Sequence, residues 1–346
     1  MSRYSWGDDS GDSRSSGGSE KAPGEFGYES ARKAYVGTGA GAGSGRSAGS
    51  GSGRADEESR RDYDFSSARG KTPWPIKRPV LAVKTESTHP AVICADDTGS
   101  FKREICIILE KLALLGMEVG RYMPTYELCL ALVGDTTCDS FPLQIQDFDK
   151  GPALDPRLKA LFPEGGGGDA PESYDLAAYY FTNHCEMPNA VKPLFIWVLD
   201  ATTRTKLLAA HVRKYIGDDL QSDLDSVEVL KKLADKFTVY VIFKGGSRDR
   251  KFWEDIYGEQ SIIPMEEPRD IIELMIGIFA GEAGKYADFE MRSSKRHSDR
   301  PDRVSRVMKS TRSAKDKSAA ATEGGGKAEH ASGKSAGGSL KSKKLV

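Results

Sequence analysis

The stretch Ala91-Val-Ile-Cys-Ala-Asp-Asp-Thr-Gly-Ser100 decides the fold of this chain. Its first half is an unbroken apolar run, which predicts a strand covered on both faces, and its polar second half predicts a loop leaving the strand end. A helix follows. Ile105, Ile108, Leu109, Leu112 and Leu115 recur at helical spacing, with Ser100 placed as an N-cap and Gly116 near the C-terminal end.

Moving outward, Val80-Leu-Ala-Val83 is a shorter apolar run upstream. Downstream, residues 126–133 and 141–145 predict two strands joined through 134–140 as an antiparallel hairpin, the second lying at the sheet edge. A short helix around 156–161 leads to the loop Gly165-Gly-Gly-Gly-Asp-Ala-Pro-Glu172, and 174–181 has the pattern of an amphipathic helix. Pro193-Leu-Phe-Ile-Trp-Val-Leu199, ending in Asp200, is the clearest buried strand. Helices are predicted near 203–215 and 226–236, strands at 237–243 and 261–264, and a helix over 268–286. Strands alternating with helices define the α/β class with a mostly parallel, doubly wound sheet.

The chain has 346 residues, of which 38% are hydrophobic and 37 are glycine, so one domain with tails is expected rather than two full cores. Residues 1–70 are Gly/Ser-rich without hydrophobic periodicity and predict a disordered tail. The Pro-rich Lys71-Thr-Pro-Trp-Pro-Ile-Lys-Arg-Pro79 opens a domain over 71–292. Residues 293–346 predict a second, basic tail, with a short helix over 301–308. Lys+Arg and Asp+Glu total 50 and 51, yet the charge is segregated: 15 basic residues against 5 acidic ones lie from Arg292 onward, leaving the body acidic. Cys94, Cys106, Cys129, Cys138 and Cys185 are scattered singly, which indicates neither a disulfide framework nor a zinc knuckle and predicts reduced, mostly buried thiols. Without an apolar leader or a long apolar run, a cytoplasmic protein with no membrane contact is expected.

In doubly wound sheets ligands sit at the carboxyl ends of strands, near the point where strand order reverses. There the sequence delivers Asp96, Thr98 and Ser100 after one strand, Asp169 in the glycine loop, and Asp200 with Thr202 after another. Carboxylates and hydroxyls are hard oxygen donors suited to Mg²⁺ or Mn²⁺. Asp135 and Asp139 follow a strand as well and are expected to form the hairpin turn.

Asp96-Asp-Thr-Gly-Ser100 resembles the D-x-S/T-x-S metal-ion-dependent adhesion site of von Willebrand factor A domains, on the strand and loop where that family carries it. A narrower likeness is to uncharacterised prokaryotic and phage-type members, through Val133-Gly-Asp-Thr-Thr-Cys-Asp139, Pro142-Leu-Gln144, and the glycine loop running into Ser173-Tyr-Asp-Leu-Ala-Ala-Tyr-Tyr180. The resemblance covers about residues 80–285. It implies a six-stranded sheet, parallel apart from one short edge strand. It also implies a first motif of Asp96, Thr98 and Ser100, a third at Asp200, and a second at Asp169, where many members have Thr. The implied function is metal-bridged protein recognition: Mg²⁺ or Mn²⁺ is held at the top of the sheet, and an Asp or Glu of a partner completes its coordination. Bacterial relatives often work beside AAA+ ATPases, which makes such an enzyme a candidate partner. The competing expectation is a metal-independent structural or assembly scaffold, for example a phage or virion component, associating through its tails.

Catalytic classes find little in the sequence. A haloacid-dehalogenase-type phosphatase needs a second Asp two residues after the first, and position 98 is Thr. No phosphate-binding G-x-x-x-x-G-K-S/T run exists, and His89, His184 and His211 form no recognisable triad. A Mg²⁺-dependent phosphotransferase or hydrolase is therefore the minor reading. The basic clusters Ser294-Lys-Arg-His297 and Lys341-Ser-Lys-Lys344 suit solvation first and contact with nucleic acid or another polyanion second.

Overall fold

Ala91, Val92, Ile93 and Cys94 are each at most 1% exposed, a burial that a strand reaches only when both of its faces are covered. The computed structural model describes residues 82–161, 163–164 and 171–325. The expected N-terminal tail, 1–70, and the Pro-rich opening of the domain lie outside the described residues.

In chain order, β1 (Val83–Lys84) precedes β2 (His89–Asp96) and α1 (Lys102–Tyr122), followed by β3 (Tyr126–Val133), β4 (Leu143–Ile145) and α2 (Leu154–Ala160). Next come α3 (Tyr174–His184), β5 (Cys185–Glu186), β6 (Leu194–Leu199), β7 (Lys206–Leu207), α4 (Ala209–Tyr215), β8 (Leu224–Asp225) and α5 (Ser226–Lys236). The described chain closes with β9 (Thr238–Phe243), α6 (Ser247–Tyr257), β10 (Ile262–Pro264), α7 (Ile271–Glu282), α8 (Tyr286–Arg296) and α9 (Pro301–Gly325).

The main sheet has six strands in the order β10-β9-β6-β2-β3-β4. All pairs are parallel except β3 with β4, the expected hairpin at one edge. β1 pairs with β5 and β7 with β8, both apart from this sheet. From β2 the chain first adds strands on the β3 side and then returns to add β6, β9 and β10 on the other. The strand order therefore reverses between β2 and β6.

Alternation along the strands divides the core into two layers. Ala91, Ile93, Leu130 and Ile196 face the layer of α1 and α7, whereas Val92, Cys94, Phe195 and Trp197 face α3, α5 and α6. On α1 the buried stripe is Ile105, Ile108, Leu112, Leu115 and Val119. The helix does not stop near Gly116 but continues to Tyr122; its two glycines are not an end signal but the points where the Tyr126 ring lies against the helix. A Cβ at Gly116 would lie 3.0 Å from the Tyr126 hydroxyl oxygen, and one at Gly120 3.2 Å from the ring. Nor is Ser100 the cap: Phe101 holds that place without a side-chain hydrogen bond.

Two further corrections concern helices. α6 was not predicted: in Ser-Arg-Asp-Arg-Lys-Phe-Trp-Glu-Asp-Ile-Tyr257 only Trp253 is fully buried, and the apolar stripe of Phe252, Trp253, Ile256 and Tyr257 is short and confined to the second half of a charged segment. The expected boundary at 292 also gives way, since α8 and α9 continue through Gly325 with Phe289, Val307 and Ala314 fully buried. The helix expected over 268–286 breaks at Gly284, whose φ is +66°, and α8 folds back from there. Arg296 forks onto Glu273 at 2.9 Å and reaches Glu118 at 3.0 Å; Arg303 and Arg306 reach the two oxygens of Asp270 at 2.9 and 3.1 Å. Cations whose composition suggested a solvated tail are thus the ties that hold it down. The residues after Gly325 lie outside the described residues. No helix among the described residues is long and apolar enough to cross a membrane.

Two tests follow from this packing. A Cβ at Gly277 would fall 2.7 Å from Thr311 Cγ2 and 3.0 Å from the Phe289 ring. Gly277→Ala is expected to cost about 1–3 kcal/mol by overpacking, with Thr311→Ala restoring part of it, in urea unfolding. The second test is pH dependence. Burial pushes the Glu273 carboxyl up, but the hydrogen bond from His297 and the Arg296 charge outweigh it and hold it at about 2, against the usual 4.5. A depressed carboxylate stabilises the fold above its unfolded value, so this contribution is present above about pH 4.5 and lost as pH falls toward 2. The stability gap between the wild-type chain and Glu273→Gln should narrow across that window.

Candidate metal centre

Asp96 ends β2 on the side of the sheet that Val92 and Cys94 face, and it is fully buried. That parity aims its carboxylate at α3, where the Tyr174 hydroxyl donates to Oδ2. The other oxygen, Oδ1, accepts the Thr98 backbone N–H at 2.7 Å, closing a turn that brings the next polar side chains back over the strand end. Thr98 Oγ1 lies 3.1 Å from Ser100 Oγ, and Ser100 Oγ donates to Asp200 Oδ2 at 2.8 Å. Asp200 follows β6, so the two polar loops meet where the strand order reverses. The site is graded in depth, from buried Asp96 through Thr98 at 3% exposure to exposed Ser100.

Four of the five expected ligands, Asp96, Thr98, Ser100 and Asp200, are therefore brought together, while Asp169 lies outside the described residues. The donor set fits a small hard cation. In an octahedron with metal–oxygen bonds of about 2.1 Å, neighbouring oxygens are about 3.0 Å apart, and the 3.1 and 2.8 Å separations here bracket that edge. Among the described residues no group of three or more His, Cys, Asp or Glu side chains is placed to hold a metal. The donors here are hydroxyls and carboxylates together.

The surroundings are acidic. Burial pushes the Asp96 carboxyl up to about 7; the hydrogen bonds from Tyr174 and Thr98 oppose the rise, and the Asp200 charge adds to it. Glu172, which sequence reasoning did not single out as a donor, is 6% exposed. Burial and then the charges of Asp96, Asp135, Asp139 and Asp200 push it up to about 8. A cation beside these groups would favour their charged forms. The only hint in the sequence was a Glu at the end of the glycine loop, and no periodicity marks such a position.

Basic groups stand around this centre rather than in it. Arg204 Nη2 reaches both oxygens of buried Asp135 at 2.7 and 2.8 Å, locking the loop after β3 to the loop after β6. Burial would raise the Asp135 carboxyl, but its bonds from Thr137 and Arg204 hold it below the usual range. Asp139 accepts the Asp135 N–H at 2.6 Å and so forms the expected turn. Lys244, following β9, pairs with buried Glu104 at 2.7 Å and donates to the Ser100 carbonyl at 3.4 Å. Asp97 is not a donor to the centre: its Oδ2 accepts from Gln144 and from the Glu164 backbone at 3.3 and 3.2 Å. The described histidines are engaged elsewhere: His89 with Thr125, His184 with Asp218, His211 against the Tyr215 ring, and His297 with Glu273.

No protein-family model matches the chain, and no curated protein matches it. Among solved structures it is similar to proximal thread matrix protein 1 from the mussel byssus, at 11% identity and a TM-score of 0.40, over 59% of this chain and 50% of that one. It is also similar to the pilus adhesin SpaC from Lactobacillus rhamnosus GG, at 10% identity and a TM-score of 0.42, over 61% of this chain and 31% of that one. This chain thus spans half the length of the first and under a third of the second. The reading of the site rests on its own geometry.

Proposed function

We propose that this chain is a divalent-cation-dependent protein-interaction module that binds at the carboxyl end of its sheet rather than turning over a substrate. The observation that carries this reading is the run of three side-chain oxygens, Thr98 Oγ1, Ser100 Oγ and Asp200 Oδ2, spaced at octahedral edges at the strand-order reversal. These residues would hold Mg²⁺ or Mn²⁺, with Asp96 joining directly or through water. Bound there, the cation would present an open coordination position to an Asp or Glu of a partner protein. The chain supplies the rest. Tyr174 and the Thr98 N–H orient the Asp96 carboxylate, and the exposed Ser100 puts the outer edge of the site in reach of a partner. An AAA+ ATPase is the proposed class of partner, and the cytoplasm the proposed compartment.

Titration calorimetry of Mg²⁺ into the chelator-stripped full chain should show one site. Ser100→Ala should weaken it by about tenfold or more, while the chelated protein melts within about 2 °C of wild type, as expected for an exposed hydroxyl. Absence of heat from the wild-type chain would leave the metal-independent scaffold as the better account. Affinity capture run in parallel with Mg²⁺ and with chelator should recover an ATPase only with Mg²⁺; equal recovery under both conditions would remove the cation from recognition.

A further inference from the structure

Two helices start beside the centre, and both carry a cation where the helix disfavours one. α1 begins Lys102-Arg103-Glu104 and α6 begins Ser247-Arg248-Asp249. In each the second residue is an exposed arginine. The positive end of a helix dipole favours an anion in the first turn, so an arginine there gives up helix stability. Nothing local compensates: among the described residues neither Arg103 nor Arg248 makes an ion pair or a side-chain hydrogen bond. Contacts through Lys244 set the two starts side by side. Its Nζ pairs with Glu104 at 2.7 Å, donates to the Ser100 carbonyl at 3.4 Å and lies 5.6 Å from the centre of the Phe101 ring. Next to it, Gly245 passes so close to Asp200 that a Cβ would lie 2.9 Å from that residue's carbonyl oxygen. Trp253 of α6 donates its Nε1–H to the Ala201 carbonyl at 2.9 Å. The stretch from Lys244 to Lys251, with four cations and one acid, is thereby held against Ser100 and Asp200, the outer edge of the centre.

We propose that Arg103 and Arg248 form a basic lip that selects a partner presenting a run of acidic residues rather than a lone carboxylate. This rests on the protein-recognition reading above. One carboxylate of the run meets the cation, and its neighbours pair with the two arginines. The charge pattern favours that occupant, because the centre repels an acid until a cation fills it, whereas the lip attracts acids throughout. Docking also supplies the anions that the two helix starts lack. The lip sets which acidic partner docks and how fast, and recognition weakens as salt rises.

The test uses the full chain and two fluorescein-labelled peptides, read by anisotropy in Mg²⁺ and in chelator. One peptide has a single Glu among Ser and Gly; in the other, Asp and Glu flank that Glu on both sides. In Mg²⁺ the wild-type chain is expected to bind the acidic peptide about fivefold or more tighter than the single-Glu peptide. The double variant Arg103→Gln/Arg248→Gln should lose that preference, the two peptides then binding within about twofold of one another. It should melt no lower than wild type, because it removes cations from two helix starts. The proposal is overturned if wild type binds the two peptides alike or binds neither, or if the double variant keeps the preference. It is also overturned if single-stranded DNA of matched charge binds as tightly as the acidic peptide, the mark of a surface for any polyanion. A double variant that melts about 5 °C or more below wild type overturns it too, by showing a structural role. An arginine-dependent preference that persists unchanged in chelator supports the lip and removes the cation from recognition, so the two readings fail separately.

Discussion

The hydrogen bond from Tyr174 to Asp96 is the joint on which the carboxyl end of this sheet depends. A carboxylate at zero exposure persists only if its oxygens are met. Here one is met by the first residue of α3 and the other by the turn that follows β2. Tyr174 cannot shift to suit, because its ring packs 6.0 Å from Trp197 on β6 and 5.8 Å from Trp253 on α6. The central strand, its neighbour and two helices therefore converge on one phenol. With Asp96 held there, the Thr98–Ser100–Asp200 series has little freedom of position.

The same end of the sheet divides its acids into two kinds. Asp135 and Glu104 are buried but paired, with Arg204 and Lys244, and these pairs brace loops and helix ends. Asp96 and Glu172 are buried without a cation of their own, and burial drives both carboxyls up toward neutrality. The basic side chains sit at the rim, where they steady the framework and leave the centre negative. An arrangement built for stability alone would more cheaply bury apolar side chains in those places.

Most of the sheet was legible in the sequence because doubly covered strands read as continuous apolar runs, and β2, β6 and β9 are of that kind. The antiparallel edge was legible from the short, turn-rich connection between β3 and β4. Adjacency of Thr98, Ser100 and Asp200 was legible too, since strand ends in such a fold converge. What escaped has physical reasons. α6 carries only a short stripe, Phe252, Trp253, Ile256 and Tyr257, behind a run of charged residues. The helices beyond residue 292 bury small residues and ion pairs instead of large apolar side chains, and composition cannot tell Arg303 gripping Asp270 from Arg303 in water. Glu172 is positioned by backbone bonds to Thr202 and Arg204, contacts between segments some thirty residues apart that no local pattern records.

The strand order also bears on when the centre can exist. Ser100 and Asp200 are 100 positions apart in the chain, and Tyr174 and Asp96 are 78 apart. Contacts of such separation cost loop-closure entropy, which the pairing of β2 with β6 offsets. A chain in which β2 and β6 are not yet paired cannot bring Ser100 to Asp200, whatever local turns it holds. Assembly of these oxygens is thus a report on completed folding, and a partner that needs all of them engages only the finished domain.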